Sequence, residues 1–119
     1  MSFRASHRFA RIGPRKVRRL ADLIRGRFAD EALELLRYEP HRGARFLEKV
    51  LRSAIGNAQD PDQNPGQTIR VDRLVVTDAR VDGGPIMKRI KPVSRGMAYM
   101  ILKRFSHISV TVEDIRKLG

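Results

Sequence analysis

The sequence predicts a small domain in which three helices precede extended strands. Three observations predict it. The first half holds three segments with apolar residues at helical spacing, the second half holds runs at strand spacing, and the stretch DPDQNPGQ (60–67) separates them as a loop. At 119 residues the chain has the length of one domain, 1–119, with room for a modest core.

Phe3 to Ile12 reads as an extended strand or arm. Gly13-Pro14 then opens a helix, because proline suits the first helical position. Val17, Leu20, Ala21 and Ile24 follow at i, i+3, i+4, i+7, and Gly26 stops it. Asp30 to Tyr38 is a second, short helix around Ala32, Leu33, Leu35 and Leu36, ended by Pro40. His41 to about Ala58 is the longest, and its wide apolar face (Phe46, Leu47, Val50, Leu51, Ala54, Ile55, Ala58) makes it central. Ile69 to Val81 is strand-like, with an apolar frame that slips between Val71 and Leu74, as a bulge or early bend would cause. Ile108, Val110 and Val112 alternate with polar neighbours, the clearest period-two signal in the chain. If these two strands pair antiparallel, residues 83–98 connect them. That is far beyond the roughly 2–5 residues of an ordinary hairpin loop, so the connection is a functional or disordered element, and its apolar return side favours extended arms.

Charge says what such an arm meets. The net charge is +12, the pI about 11.3, the mean hydropathy −0.41, and 32% of residues are charged against 41% hydrophobic. A chain this basic repels itself until it meets a polyanion. A membrane surface is disfavoured, since no apolar run reaches the ~18 residues of a span and no apolar stretch follows the first basic residues as in a signal peptide. Zero cysteines exclude disulfides and thiolate metal sites and fit a reducing, cytoplasmic compartment.

The excess is concentrated in two places. Residues 1–27 hold nine basic residues against one acid, Asp22, and Gly83 to Phe105 holds six and no acid: Lys88, Arg89, Lys91, Arg95, Lys103 and Arg104. In the first helix Arg15, Lys16, Arg18 and Arg19 crowd the N-terminal turns, where cations oppose the helix dipole by ~0.3–1 kcal/mol each. Asp22 can relieve Arg18 or Arg19 but not all four, so the helix gains from external phosphates. Arg4, Arg8 and Arg11 extend this patch. The second stretch has too few apolar residues near its middle to fold on itself. Its arm of eight residues each way reaches ~25 Å at ~3.3 Å per residue, a depth that folded RNA offers and a B-DNA groove of ~8.5 Å does not. It should therefore be the most mobile part of the free protein. Tyr99 or Phe105 could stack on a base, although cross-strand packing is the commoner fate of such residues.

Other chemistry is weaker. His7, His41 and His107 lack metal-ligand spacing, Ser106 and His107 would point to opposite faces of a strand, and Gly83-Gly84-Pro85 lacks the phosphate-loop pattern. Asp60 and Asp62 read as a solvated turn. A duplex-DNA module using the first helix, or an enzyme acting on nucleic acid, are the rival classes; the first predicts equal affinity for duplex DNA, and the second lacks a clustered acid–base or metal set. No cofactor, metal or catalytic residue is expected.

The segments GPRKVRRLADLIRG, ADEALELLRYEP, LEKVLRSAIGNAQD, LVVTDARVDGGPIMKRIKPVSRG and ILKRFSHISVTVED together resemble the bacterial large-subunit ribosomal protein family numbered twenty-two. The resemblance covers nearly the whole chain. It implies an α+β fold, three helices packed on a three-stranded antiparallel sheet with a long protruding β-hairpin, and a structural, non-enzymatic role. It also implies binding to 23S ribosomal RNA, help in subunit assembly, and neighbouring large-subunit proteins as partners, with no DNA and no membrane. The hairpin would line the nascent-peptide tunnel with Met87, Lys88, Arg89, Ile90, Lys91, Pro92, Val93, Ser94, Arg95 and Gly96, and so meet the nascent peptide. Phosphate contacts would fall to Arg4, Arg8, Arg11, Arg15, Lys16, Arg18, Arg19, Lys88, Arg89, Lys91, Arg95, Lys103, Arg104 and His107. The chain departs from the family pattern at Gly13, where serine is usual, in a longer, proline-richer 60–67 loop, at Val93, Met97 and Met100, where arginine is typical, and at Tyr99, where an acid is frequent. Its tip is thus less basic and more apolar.

Overall fold

The structure, a computed structural model, describes residues 2–60, 69–92, 96 and 98–115, with the backbone alone at 98–100. In chain order these form β1 (Ser2–Ala10), α1 (Pro14–Ile24), α2 (Ala29–Tyr38), α3 (Arg42–Gln59), a 3-10 turn (Val71–Arg73), β2 (Leu74–Pro92) and β3 (Ala98–Asp114). The sheet is antiparallel in the order β1-β3-β2, so the period-two run around Val110 takes the centre. The fold is α+β, as expected.

The helices cover one face of this sheet. Ile108, Val110 and Val112 of β3, Phe3 and Ala5 of β1, and Leu74, Val76, Ala79 and Val81 of β2 point at them. From the helical side come Val17, Leu20 and Ile24 of α1, Leu36 of α2, and Leu47, Leu51 and Ala54 of α3, all essentially without solvent contact. Burying each such side chain contributes about 1.5–3 kcal/mol, which is why the sheet's other face, lined by Arg4, Ser109, His107 and Thr111, stays polar. Helix α3 crosses α1 closely because Gly43 leaves room: a Cβ there would sit 3.0 Å from Val17 Cγ2.

Two expectations need correction. The strand does not begin at Ile69. Val71–Arg73 is a 3-10 turn closed by Arg73 N–H to the Arg70 carbonyl at 3.0 Å, so the early frame slip is a bend, and the true bulge lies between Val76 and Asp78. The basic connection does fold on itself. β2 and β3 stay paired as far as Pro92 and Ala98, past a second irregularity between Gly83 and Ile86, and the molecule is 67 Å long against 27 and 20 Å across.

Register explains how an acid-free hairpin stays closed. Ile86 lies opposite Arg104, Met87 opposite Lys103, Lys88 opposite Leu102, and Arg89 opposite Ile101. Directly opposed residues share a face at ~4.5–5.5 Å, where like charges repel and mixed pairs pack. Each of these pairs matches one cation with one apolar side chain, so no two cations meet head-on. The apolar stems of lysine and arginine lie along their neighbours while the charges remain in water.

Candidate nucleic-acid interface

The residues expected to hold phosphates fall into three groups. Arg4 and Arg8 sit on the open face of the sheet with His107. Arg4 Nη2 donates to Ser109 Oγ at 3.4 Å, and the Arg8 guanidinium lies 5.7 Å from the centre of the Phe9 ring. His107 accepts the Phe9 backbone N–H on Nδ1 at 3.0 Å and meets the Phe9 ring edge-on at 4.8 Å. Accepting on Nδ1 leaves Nε2 as the ring nitrogen that can donate. Phe9 has φ of 59°, where β1 breaks register between His7 and Ala10, a conformation uncommon for a bulky residue. The imidazole therefore helps hold a strained bulge. His7, by contrast, packs its ring 5.6 Å from Phe46.

The second group is helix α1 and its surroundings. Arg15, Lys16 and Arg19 are exposed and point away from the core. Arg18 is used differently: its Nε donates to the Val81 carbonyl at 2.9 Å. Arg25 Nη2 donates to the Ala79 carbonyl, while its Nη1 pairs with Asp22 at 2.8 Å. Asp22 thus relieves Arg25, not Arg18 or Arg19 as expected. The physical reason is the sheet order: β2 is an edge strand, and α1 covers it, so helix arginines satisfy strand carbonyls that would otherwise be left open. The backbone continues the seam, with Gly26 N–H to Val76 O at 2.8 Å and Val76 N–H to Arg27 O at 2.9 Å.

The third group runs up the hairpin. Lys88, Arg89, Lys91, Lys103 and Arg104 are all exposed, in company with Ile86, Met87, Ile90, Ile101 and Leu102. Val93, Ser94, Arg95 and Met97 lie outside the described residues, as do the side chains of Tyr99 and Met100 and the loop 61–68 with Asp62. The arm leaves the sheet where Gly84 passes against β3: a Cβ there would stand 3.1 Å from both Cβ and the carbonyl oxygen of Phe105.

The base of the hairpin and the starts of α1 and α3 enclose a cleft with Arg11, Arg15, Lys16, Lys103 and Arg104 around it. Sequence reasoning missed a sixth cation there, Arg42, the first residue of α3. The signal was available, because a cation in a first helical turn opposes the dipole at α3 as it does at α1.

Acids are spent elsewhere. Glu48, buried on α3, accepts from Arg45 at 3.0 Å and Arg52 at 2.8 Å, with Arg37 at 3.7 Å, and Asp114 meets Arg73 at 3.4 Å. Among the described residues no group of three His, Asp or Glu side chains could hold a metal, and no helix is long and apolar enough to cross a membrane.

Fold and charge together define a class: a small α+β scaffold that presents positive charge on a projecting two-stranded arm and around its root. The model of the family described as Ribosomal protein L22p/L17e matches residues 5–113. The Large ribosomal subunit protein uL22 of Rhodopirellula baltica is 61% identical over 116 residues, 98% of each chain. That of Maridesulfovibrio salexigens is 47% identical over 97% of this chain and 100% of its own, and that of Caldicellulosiruptor saccharolyticus 46% over 92% and 86%. The chain belongs to this family of ribosomal proteins, whose role is structural and not enzymatic.

Proposed function

We propose that the chain, as a single domain over residues 1–119, is a constituent of the large ribosomal subunit. It binds 23S ribosomal RNA, aids assembly of the subunit, and lines the nascent-peptide exit tunnel with its hairpin. One observation carries the reading: an exposed, acid-free arm whose cations are distributed over both faces of a paired hairpin. A solvated ionic surface would mix signs, whereas a surface meant for phosphates does not. The names of its relatives support the same placement.

On this reading Arg4, Arg8, Arg11, Arg15, Lys16 and Arg19 hold phosphates at the globular end, with His107 on the open sheet face. Arg18 contributes there only through nitrogens not already bonded to β2. Lys88, Arg89, Lys91, Arg95, Lys103 and Arg104 hold them along the arm. Met87 to Gly96 face the tunnel, with Ile90 exposed to the nascent peptide. The working place is the ribosome in the cytoplasm, among neighbouring ribosomal proteins.

Two measurements test this. Replacing Lys88, Arg89 and Lys91 by glutamine should flatten the salt dependence of RNA binding, since each lost single-strand phosphate contact removes about 0.7 from the log–log slope. A photo-crosslinking residue at position 90 should capture the nascent chain in translating ribosomes. An unchanged slope together with crosslinks to no nascent peptide would refute the proposal, and equal affinity for duplex DNA would favour the DNA-binding alternative.

A further inference from the structure

The cleft at the root of the arm has features that the hairpin lacks. It has a volume of about 610 Å³ and continues into a second cavity of about 340 Å³, with Arg11, Arg42, Lys103 and Arg104 common to both. Among the described residues no acidic side chain lines either cavity, and the nearest acid, Glu39, stands at the edge beside His41, 3.8 Å from its Nε2. Among the described residues, none of these four cations has an acidic partner. Arg42 is instead held in place, its guanidinium 5.6 Å from the centre of the Phe46 ring.

The helix starts add to this field. α1 and α3 both begin at the cleft, with no acid in the first turn and no side-chain cap on Gly13 or His41. α2, which does not open there, has Asp30 and Glu31 in its first turn. The two N-termini that face the cleft therefore add their partial positive charge to the side-chain cations. Ile12, Leu20 and Leu102 provide an apolar wall beside them.

We infer that this cleft is a phosphate pocket for a sharply turned RNA backbone, with Arg42 as its central cation and the apolar wall beneath a ribose or base. The inference rests on the RNA-binding reading above. Four cations that have no acidic partner among the described residues, and two helix starts, around one concavity are costly for the free protein, because like charges repel. Two or more phosphates brought together by a backbone turn repel each other for the same reason. Each cluster compensates the other.

The test uses the full chain and a transcript of large-subunit ribosomal RNA. Arg42→Gln should weaken binding about tenfold and lower the salt slope by about one phosphate, whereas Lys49→Gln, on the exposed side of the same helix, should change neither. In the unmutated complex Lys103 should be shielded from acylation while Lys49 stays reactive. If Arg42→Gln binds like Lys49→Gln while the unmutated chain binds the transcript, the pocket is refuted and the RNA-binding reading stands, because that reading gives Arg42 no part; if Lys103 stays reactive in the complex, the pocket falls together with the arm contact assigned to Lys103. If the unmutated chain does not bind the transcript at all, the underlying reading fails and the pocket with it.

Discussion

Replacing Gly84 by alanine should re-aim the arm without unfolding the domain. The added Cβ would lie 3.1 Å from the Phe105 carbonyl oxygen and 3.2 Å from its carbonyl carbon, both backbone atoms that cannot swing away. Relief to an ordinary separation of ~3.5 Å asks for a shift of about 0.4 Å. Across strands ~4.8 Å apart, that is a tilt of about 5°. From Gly84 to Pro92 the arm runs about 26 Å at ~3.3 Å per residue, so its described end moves by ~2 Å. The overpacking should cost about 1–2 kcal/mol, a fall in Tm of roughly 3–8 °C for a chain of this size. Because the chain has no cysteine, spin labels can be placed on introduced cysteines at Lys91 on the arm and at Lys49 or Glu31 on the helices. Distances from Lys91 to the two helix sites should shift together with Tm in Gly84→Ala. Gly83→Ala, whose Cβ would meet nothing within 4 Å, should change neither. Identical behaviour of the two variants would refute the argument that contact at Gly84 sets the direction of the arm.

Other outcomes follow from the same contacts. Arg45 Nη2 donates to the carbonyls of Leu36, Arg37 and Glu39 at 2.8, 3.1 and 2.7 Å, closing the end of α2, so Arg45→Met should lower stability by about 2 kcal/mol in urea denaturation. Leu102→Lys would set a second cation against Lys88; it should destabilise the hairpin by about 0.5 kcal/mol, seen as faster amide exchange that added salt reverses. In the unmutated free protein, amides of residues 86–92 should exchange fastest among the paired strands, and those of Leu47–Ile55 slowest.

Local signals made much of this fold readable. Pro14, Gly26 and Pro40 placed α1 and α2 within a residue or two of their observed limits, because proline and glycine act on their own backbone. The bulge near Thr77 was missed, since the slip was read between Val71 and Leu74, although Val76 and Ala79, three apart, both face the core. What the sequence could not show were properties of two distant segments. The cation–apolar matching of Lys88 with Leu102 exists only once the register is known. Arg18 looked free for phosphate because nothing local reveals that an edge-strand carbonyl, Val81, lies beside it. At the candidate site the cations of the arm and of α1 were legible from charge alone. That Arg11, Arg42, Lys103 and Arg104 meet in one cleft was not, since they come from three separate parts of the chain.

On the function proposed above, the chain is built into the large ribosomal subunit through its arm. The most direct test follows the tagged chain through purification of large subunits that receive a high-salt wash. Stoichiometric retention of the natural chain, and its loss when Lys88, Arg89 and Lys91 are all glutamine, is the outcome predicted. Release of the natural chain into the wash, or recovery with chromosomal DNA, would contradict it.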